Sequence, residues 1–176
     1  MKLYFGLIVL FILPVLISCG QSSEPKQKSM SDKEIQESLI RVNQEMNKRE
    51  SNQIDFFIKK ENLHVTKTGT GLRYEIYKKG TGKQAMPGMS AKLKFTVSLL
   101  DGKVCYSSDS SGLESFVIDH DQVESGLHEG IKLLHEGDKA KFILPSHLAH
   151  GLIGDKDKIP RRSPIIYDIE LIQLKQ

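Results

Sequence analysis

The chain has 176 residues, enough for one domain plus an extension, and its 39% apolar content supports a real core rather than a disordered chain. The net charge of +3 becomes +2 without residues 1–18, whose only charged side chain is Lys2. No basic block with interleaved aromatics exists, so nucleic acid is excluded as an expected partner.

Lys2 is followed by an uncharged, mostly apolar run over residues 3–17, then Ser18, Cys19 and Gly20. About 20 apolar residues are needed to cross a bilayer as a helix, and this run is shorter. A positive start, a short apolar core and small residues at its end describe a signal peptide over residues 1–18. Leu16-Ile17-Ser18-Cys19 resembles the lipobox of bacterial lipoproteins. That resemblance implies lipidation of Cys19, cleavage before it, and a membrane anchor made of several acyl chains. The only other cysteine is Cys105, which is then expected to be a buried small hydrophobe without a disulfide partner.

Residues 19–30 are small, polar and charged, a flexible tether. Residues 31–63 follow as a helical extension. Ser31 with Glu34 forms a capping-box pattern, and Ile35, Leu39, Val42 and Met46 lie on one helical face. So thin a stripe either lies on a globular body or pairs with a second helix. Residues 54–58 are expected to continue and dock the helix, and Glu61-Asn62 to end it.

The remainder, residues 64–176, reads as a domain. Leu72, Tyr74 and Ile76 alternate with Arg73, Glu75 and Tyr77. Ala91, Leu93, Phe95, Val97 and Leu99 alternate with polar residues, the clearest half-buried strand. Asp101-Gly102 is a hairpin turn signal. Val104, Tyr106 and a serine-rich segment lead to an apolar run at residues 116–118. A helix is expected from about Asp121, with Val123, Leu127, Ile131 and Leu134 on one face. Gly126 and Gly130 each cost about 1 kcal/mol there against alanine, which points to close approach to a sheet. Ala140, Phe142 and Leu144 form another strand face, and Ile165, Tyr167, Ile169 and Leu171 the last. Five antiparallel-type strands around one short central helix make an α+β domain.

Residues from about 70 to 175 resemble an FKBP-type peptidyl-prolyl cis-trans isomerase domain. The match is carried by residues 101–104 with Ser107-Ser108, then Val123, Gly126, Glu129-Gly130 and Gly137. It continues through Lys141, Pro145-Ser146, Ala149, Gly151, Gly154, Ile159-Pro160 and residues 168–171. The resemblance implies an FKBP-like antiparallel sheet wrapped around one short helix and preceded by the N-terminal helix. It also implies proline-containing polypeptides as substrates and no cofactor. Among exported bacterial relatives, some dimerise through such helices, so a homodimer through residues 31–63 is one expectation. The chain looks closest to lipoprotein isomerases associated with gliding motility. Placement at the bacterial cell envelope follows, lipid-anchored, with the outer membrane preferred.

The resemblance places Phe95, Phe116, Val123, Ile159 and Tyr167 in the wall of the proline slot. Glu124 stands where isoleucine is usual; its expected role is a backbone N–H offered to the substrate carbonyl, with the side chain pointing outward. Other positions depart from the family pattern. Leu127 replaces the tryptophan of the pocket floor, making the slot deeper and less aromatic. Cys105-Tyr106 replaces a Phe-Asp pair, His150 a tyrosine, and Phe95 lacks a tyrosine hydroxyl. These departures leave two readings open: a working isomerase, or a non-catalytic FKBP-like lipoprotein acting as chaperone or scaffold. The six histidines show no HExxH or matched carboxylate pattern, and Ser146-His147 lacks nucleophile-elbow glycines.

Overall fold

A computed structural model describes residues 30–176; the expected signal peptide, Cys19 and all but the last tether residue lie outside the described residues. The first element is helix α1, Asp32–Lys60. Its capping box is formed: the Glu34 N–H donates to Ser31 Oγ at 3.3 Å, and the Ser31 N–H donates to the Glu34 carboxylate at 2.8 Å. Lys59 and Lys60 in its last turn complement the helix dipole, and Glu61 closes it. At about 1.5 Å per residue, its 29 residues span roughly 44 Å.

The two ends of α1 differ. Ile35, Leu39, Val42 and Met46 are all exposed, so of the two expected placements of this stripe the one on the body does not occur. Ile54, by contrast, is fully buried against Ile143 and Ile166, with Phe57, Ile58, Leu63 and Val65 around them.

The strands are β1 (Thr66–Lys67), β2 (Arg73–Lys78), β3 (Ser90–Leu99), β4 (Val104–Ser107), β5 (Glu114–Val117), β6 (Lys139–Leu144) and β7 (Ile165–Lys175). They form one antiparallel sheet in the order β1-β2-β6-β7-β3-β4, with β5 also paired to β3. Seven strands replace the expected five because short pairings such as the two-residue β1 carry too little pattern to read. The edge of β3 is shared: residues 96–98 pair with β4 and residues 90–93 with β5. Between them, a helical turn α2 (Ser108–Ser111) bulges away from the sheet. Phe95 would be left with an unpaired N–H and C=O at this handover. The Ser108 hydroxyl satisfies both, at 3.1 and 3.2 Å.

One face of the sheet wraps α3, Ser125–Ile131, whose Leu127 and Ile131 are fully buried. The helix starts four residues later than expected. Asp121 does not cap it; its carboxylate accepts the Val117 N–H at 2.7 Å and turns the chain instead. His128 braces the same turn, accepting the Asp119 N–H at Nδ1 and contacting the Asp121 carbonyl through Nε2, both at 3.0 Å. Leu134 lies beyond the helix and still reaches the core. The close-approach reading of the helix glycines is met: a Cβ on Gly126 would sit 2.6 Å from Leu144 Cγ, and one on Gly130 2.6 Å from Phe142 Cε2.

The other face, across β2, β6 and β7, is covered by the C-terminal half of α1. Arg73 lies on that face in register with Ile143 and is only 2% exposed. Its guanidinium donates to Asp55 at 2.8 Å, Ser51 at 2.7 Å and the Gly71 carbonyl at 2.8 Å. Its alternation with Leu72 therefore separates two buried faces, not core from solvent.

Candidate active site

Between the sheet, the start of α3 and the loop of residues 146–164 lies an open cleft of about 860 Å³. Seven residues expected at the site are brought together in its lining: Phe95, Tyr106, Val123, Glu124, His150, Ile159 and Tyr167. Phe95 and Tyr167 form the aromatic wall, their rings tilted by 48° with centroids 6.3 Å apart. Two expected residues do not reach the cleft. Phe116 is buried with its ring edge-to-face with His128, and Leu127 is wholly covered beneath the slot. Leu127 is packed in the core and contributes no surface to the cleft, so the expectation that it floors the slot is corrected.

Glu124 corrects a second expectation. It precedes α3 as its N-cap residue, and its side chain turns into the cleft instead of outward. The Tyr167 hydroxyl donates to Oε2 at 3.0 Å, and His150 Nε2 lies 2.9 Å from Oε1. The carboxylate is drawn inward because a buried tyrosine hydroxyl requires a partner. Burial foremost, and then the Glu124 charge, hold the Tyr167 hydroxyl well above its ordinary range. Among the described residues the Glu124 N–H finds no acceptor, which leaves a donor at the edge of the slot.

Sequence reasoning missed Glu114 and Asp155, both in the lining. Burial first, and then the charge of Glu124, push the Glu114 carboxyl up. Asp155 accepts a short hydrogen bond from the Tyr106 hydroxyl and bonds from the N–H groups of Asp157 at 2.9 Å and Ile159 at 2.8 Å. Burial opposes its ionised form, but these donors, led by Tyr106, outweigh it and bring the carboxyl down to about 2. The same hydrogen bond, with burial second, raises the Tyr106 hydroxyl to about 12. The available signal was Tyr106 itself: a phenol in place of an acid needs an acceptor, and residues 155 and 157 of the loop supply candidates. Lys158 caps the arrangement, its Nζ 4.8 Å from the Tyr106 ring centroid.

Cys105 sits under this loop, buried as expected, with its Sγ 3.6 Å from the Lys158 carbonyl. Burial pushes its thiol up.

Residues 81–172, more than half of the chain, match the FKBP-type peptidyl-prolyl cis-trans isomerase family. The chain belongs to this family. It is 31% identical over 166 residues to an FKBP-type isomerase, FkpA, of Aeromonas hydrophila, covering 86% of this chain and 60% of that relative. A probable FkpA of Neisseria meningitidis is 36% identical over 110 residues, covering 62% of this chain and 40% of the relative. The crystal structure of FkpA from Escherichia coli superposes with a TM-score of 0.64 at 28% identity, covering 84% of this chain and 74% of that one. The chain thus spans 40–60% of the length of these two curated relatives. The α+β architecture is that of the FKBP fold, an antiparallel sheet with few helices.

Proposed function

We propose that the chain is a peptidyl-prolyl cis-trans isomerase that assists folding of exported proteins at a bacterial cell envelope. The observation that carries this is the cleft walled by Phe95, Val123, Ile159 and Tyr167 with the free N–H of Glu124 at its edge. An X-Pro bond crosses a barrier of about 18–20 kcal/mol because its planar form has partial double-bond character. An apolar slot strips water from the carbonyl and so disfavours the charge-separated planar form. A wall that fits the twisted imide better than either planar isomer lowers the barrier, and each ~1.4 kcal/mol gives a tenfold rate. No proton transfer or covalent step is required. The test is cis/trans relaxation of a proline tetrapeptide with the purified full chain; a rate equal to buffer alone sinks the reading.

A second reading, a non-catalytic lipoprotein that binds clients as chaperone or scaffold, is favoured by the polar Glu124–His150–Tyr167 cluster inside the slot. It expects suppression of client aggregation to survive replacement of Tyr106 and Leu127. Equal loss of both activities argues against it.

Anchoring through Cys19 rests on the lipobox-like residues 16–19. Cys19→Ala is expected to release the protein from membranes, and unchanged fractionation refutes the anchor. The outer membrane, and a link to gliding or secretion machinery, belong to the same proposal. Pairing of two chains through α1 is supported by the exposed stripe of Ile35, Leu39, Val42 and Met46; sedimentation as a monomer at tens of micromolar refutes it.

A further inference from the structure

The loop of residues 146–164 supplies Ala149, His150, Asp155 and Ile159 to the cleft, and α1 holds it at both feet without lining the cleft. At the first foot is Glu50, a carboxylate only 7% exposed. It accepts a short hydrogen bond from the Ser146 N–H and a second from Ser146 Oγ at 2.7 Å. Ser146 passes the grip on. Its carbonyl accepts the Ala149 N–H at 3.0 Å and the Gly151 N–H at 2.7 Å, closing the turn that presents His150. The turn also packs on the helix below: Ser125 Oγ contacts the Leu148 carbonyl at 3.5 Å. At the second foot, the Arg162 guanidinium donates to Asn43 Oδ1 at 2.9 Å, and the Arg162 N–H donates to the Gly151 carbonyl at 2.9 Å. The feet are unequal. The Asn43 contact is exposed and competes with water, whereas a buried charge accepting two hydrogen bonds is held strongly.

We propose that Glu50 is a positioning residue for the cleft, so that α1 is a clamp on the rim loop and its seating sets substrate affinity at a slot it does not touch. Glu50 holds Ser146, Ser146 holds the turn, and the turn holds His150 against Glu124, 2.9 Å away. The helix is itself fixed by Ile54 and by the Arg73–Asp55 pair, so the clamp is referred to the sheet and not to solvent. Whatever tilts the exposed N-terminal half of α1 acts first on the rim loop.

The proposal rests on the isomerase reading only for its effect on turnover; the clamp itself has a readout without activity. Three variants of the full chain decide it. Glu50→Ala removes both bonds to Ser146. Glu50→Gln retains them, because its carbonyl oxygen accepts the amide N–H and its amide nitrogen donates to Ser146 Oγ. Leu174→Ala truncates a buried residue at the far end of β7, away from the loop, and serves as the destabilised control. Hydrogen exchange at the amides of Leu148, Ala149, Gly151 and Arg162 is expected to accelerate at least tenfold in Glu50→Ala, to be restored in Glu50→Gln, and to be unaltered in Leu174→Ala. With isomerase activity, KM for a proline tetrapeptide rises severalfold in Glu50→Ala alone, while kcat changes less than twofold. Unaltered exchange in Glu50→Ala, or an equal acceleration in Leu174→Ala, overturns the clamp. An inactive wild-type chain with the expected exchange pattern overturns the isomerase reading and leaves the clamp standing.

Discussion

The Tyr167 hydroxyl donates a hydrogen bond to the Glu124 carboxylate at 3.0 Å inside the cleft. An apolar side chain entering there must displace water from a charged group without replacing its hydrogen bonds, whereas a basic side chain beside the proline gains from it. Glu124→Gln keeps an acceptor for Tyr167 and removes the charge. KM for a peptide with leucine before proline is expected to fall three- to tenfold, on the order of 0.7–1.4 kcal/mol, and KM for its lysine counterpart to rise. An unchanged ratio between the two peptides refutes this. In the same variant Glu114, now without its charged neighbour, should titrate lower than in wild type, as read by carboxyl carbon shifts.

Asp155 and Tyr106 give the rim loop an acid limb. The folded pKa of Asp155, about 2, lies below the ordinary 3.8. A lowered carboxyl pKa contributes stability that is complete above 3.8 and is lost as pH falls through about 2. Tyr106→Phe removes the leading donor. The Asp155 pKa is expected to move upward, and the acid-side fall in thermal midpoint with it, while the midpoint at pH 7 drops slightly. An Asp155 titration unaltered by the substitution refutes the assignment.

Gly126 and Gly130 are required by packing and not by turn geometry. Alanine at either gains about 1 kcal/mol of helix propensity. It also drives a Cβ to within 2.6 Å of Leu144 or Phe142, and overpacking costs about 1–3 kcal/mol. Both variants are expected to be net destabilised in urea melts. Because Gly126 also faces Leu148 Cβ at 3.0 Å, its variant alone should disturb the rim loop.

Ile54→Ala leaves a cavity between α1 and the sheet and is expected to cost about 2–5 kcal/mol, lowering the urea midpoint with an unchanged slope. Leu39→Ala, on the exposed half of the same helix, should change the midpoint of a dilute sample little. Equal losses at the two positions would contradict the unequal seating of α1.

Local pattern carried most of the fold: β3 alternates cleanly, and the Ser31–Glu34 box starts α1 where it was expected. Alternation fails at Arg73, because two-fold periodicity separates the faces of a strand but does not say that a helix from elsewhere covers the second one. Asp121 misled for a related reason. Aspartate caps helices and also closes turns, and only the Val117 N–H four residues earlier decides which. At the site, positions that supply wall residues could be aligned with a family pattern. Glu124 could not, since its direction depends on Tyr167 and His150, 43 and 26 residues away in sequence, both offering hydrogen bonds to a carboxylate. Asp155 was hidden in a loop without periodicity, where no local rule marks one acidic residue above its neighbours.

Cys105 lies beneath the rim loop, fully covered, with Lys158 of that loop over its thiol and burial raising its pKa. Only thiolate reacts with alkylating agents, so this sulfur is doubly silent while the loop is down. A lifting of the loop would remove the Lys158 carbonyl from it. The rate of its alkylation therefore counts openings of the rim in the unlabelled, unmutated chain, and peptide mapping separates it from Cys19. Cys105 is thus an intrinsic probe of the seating of the rim loop.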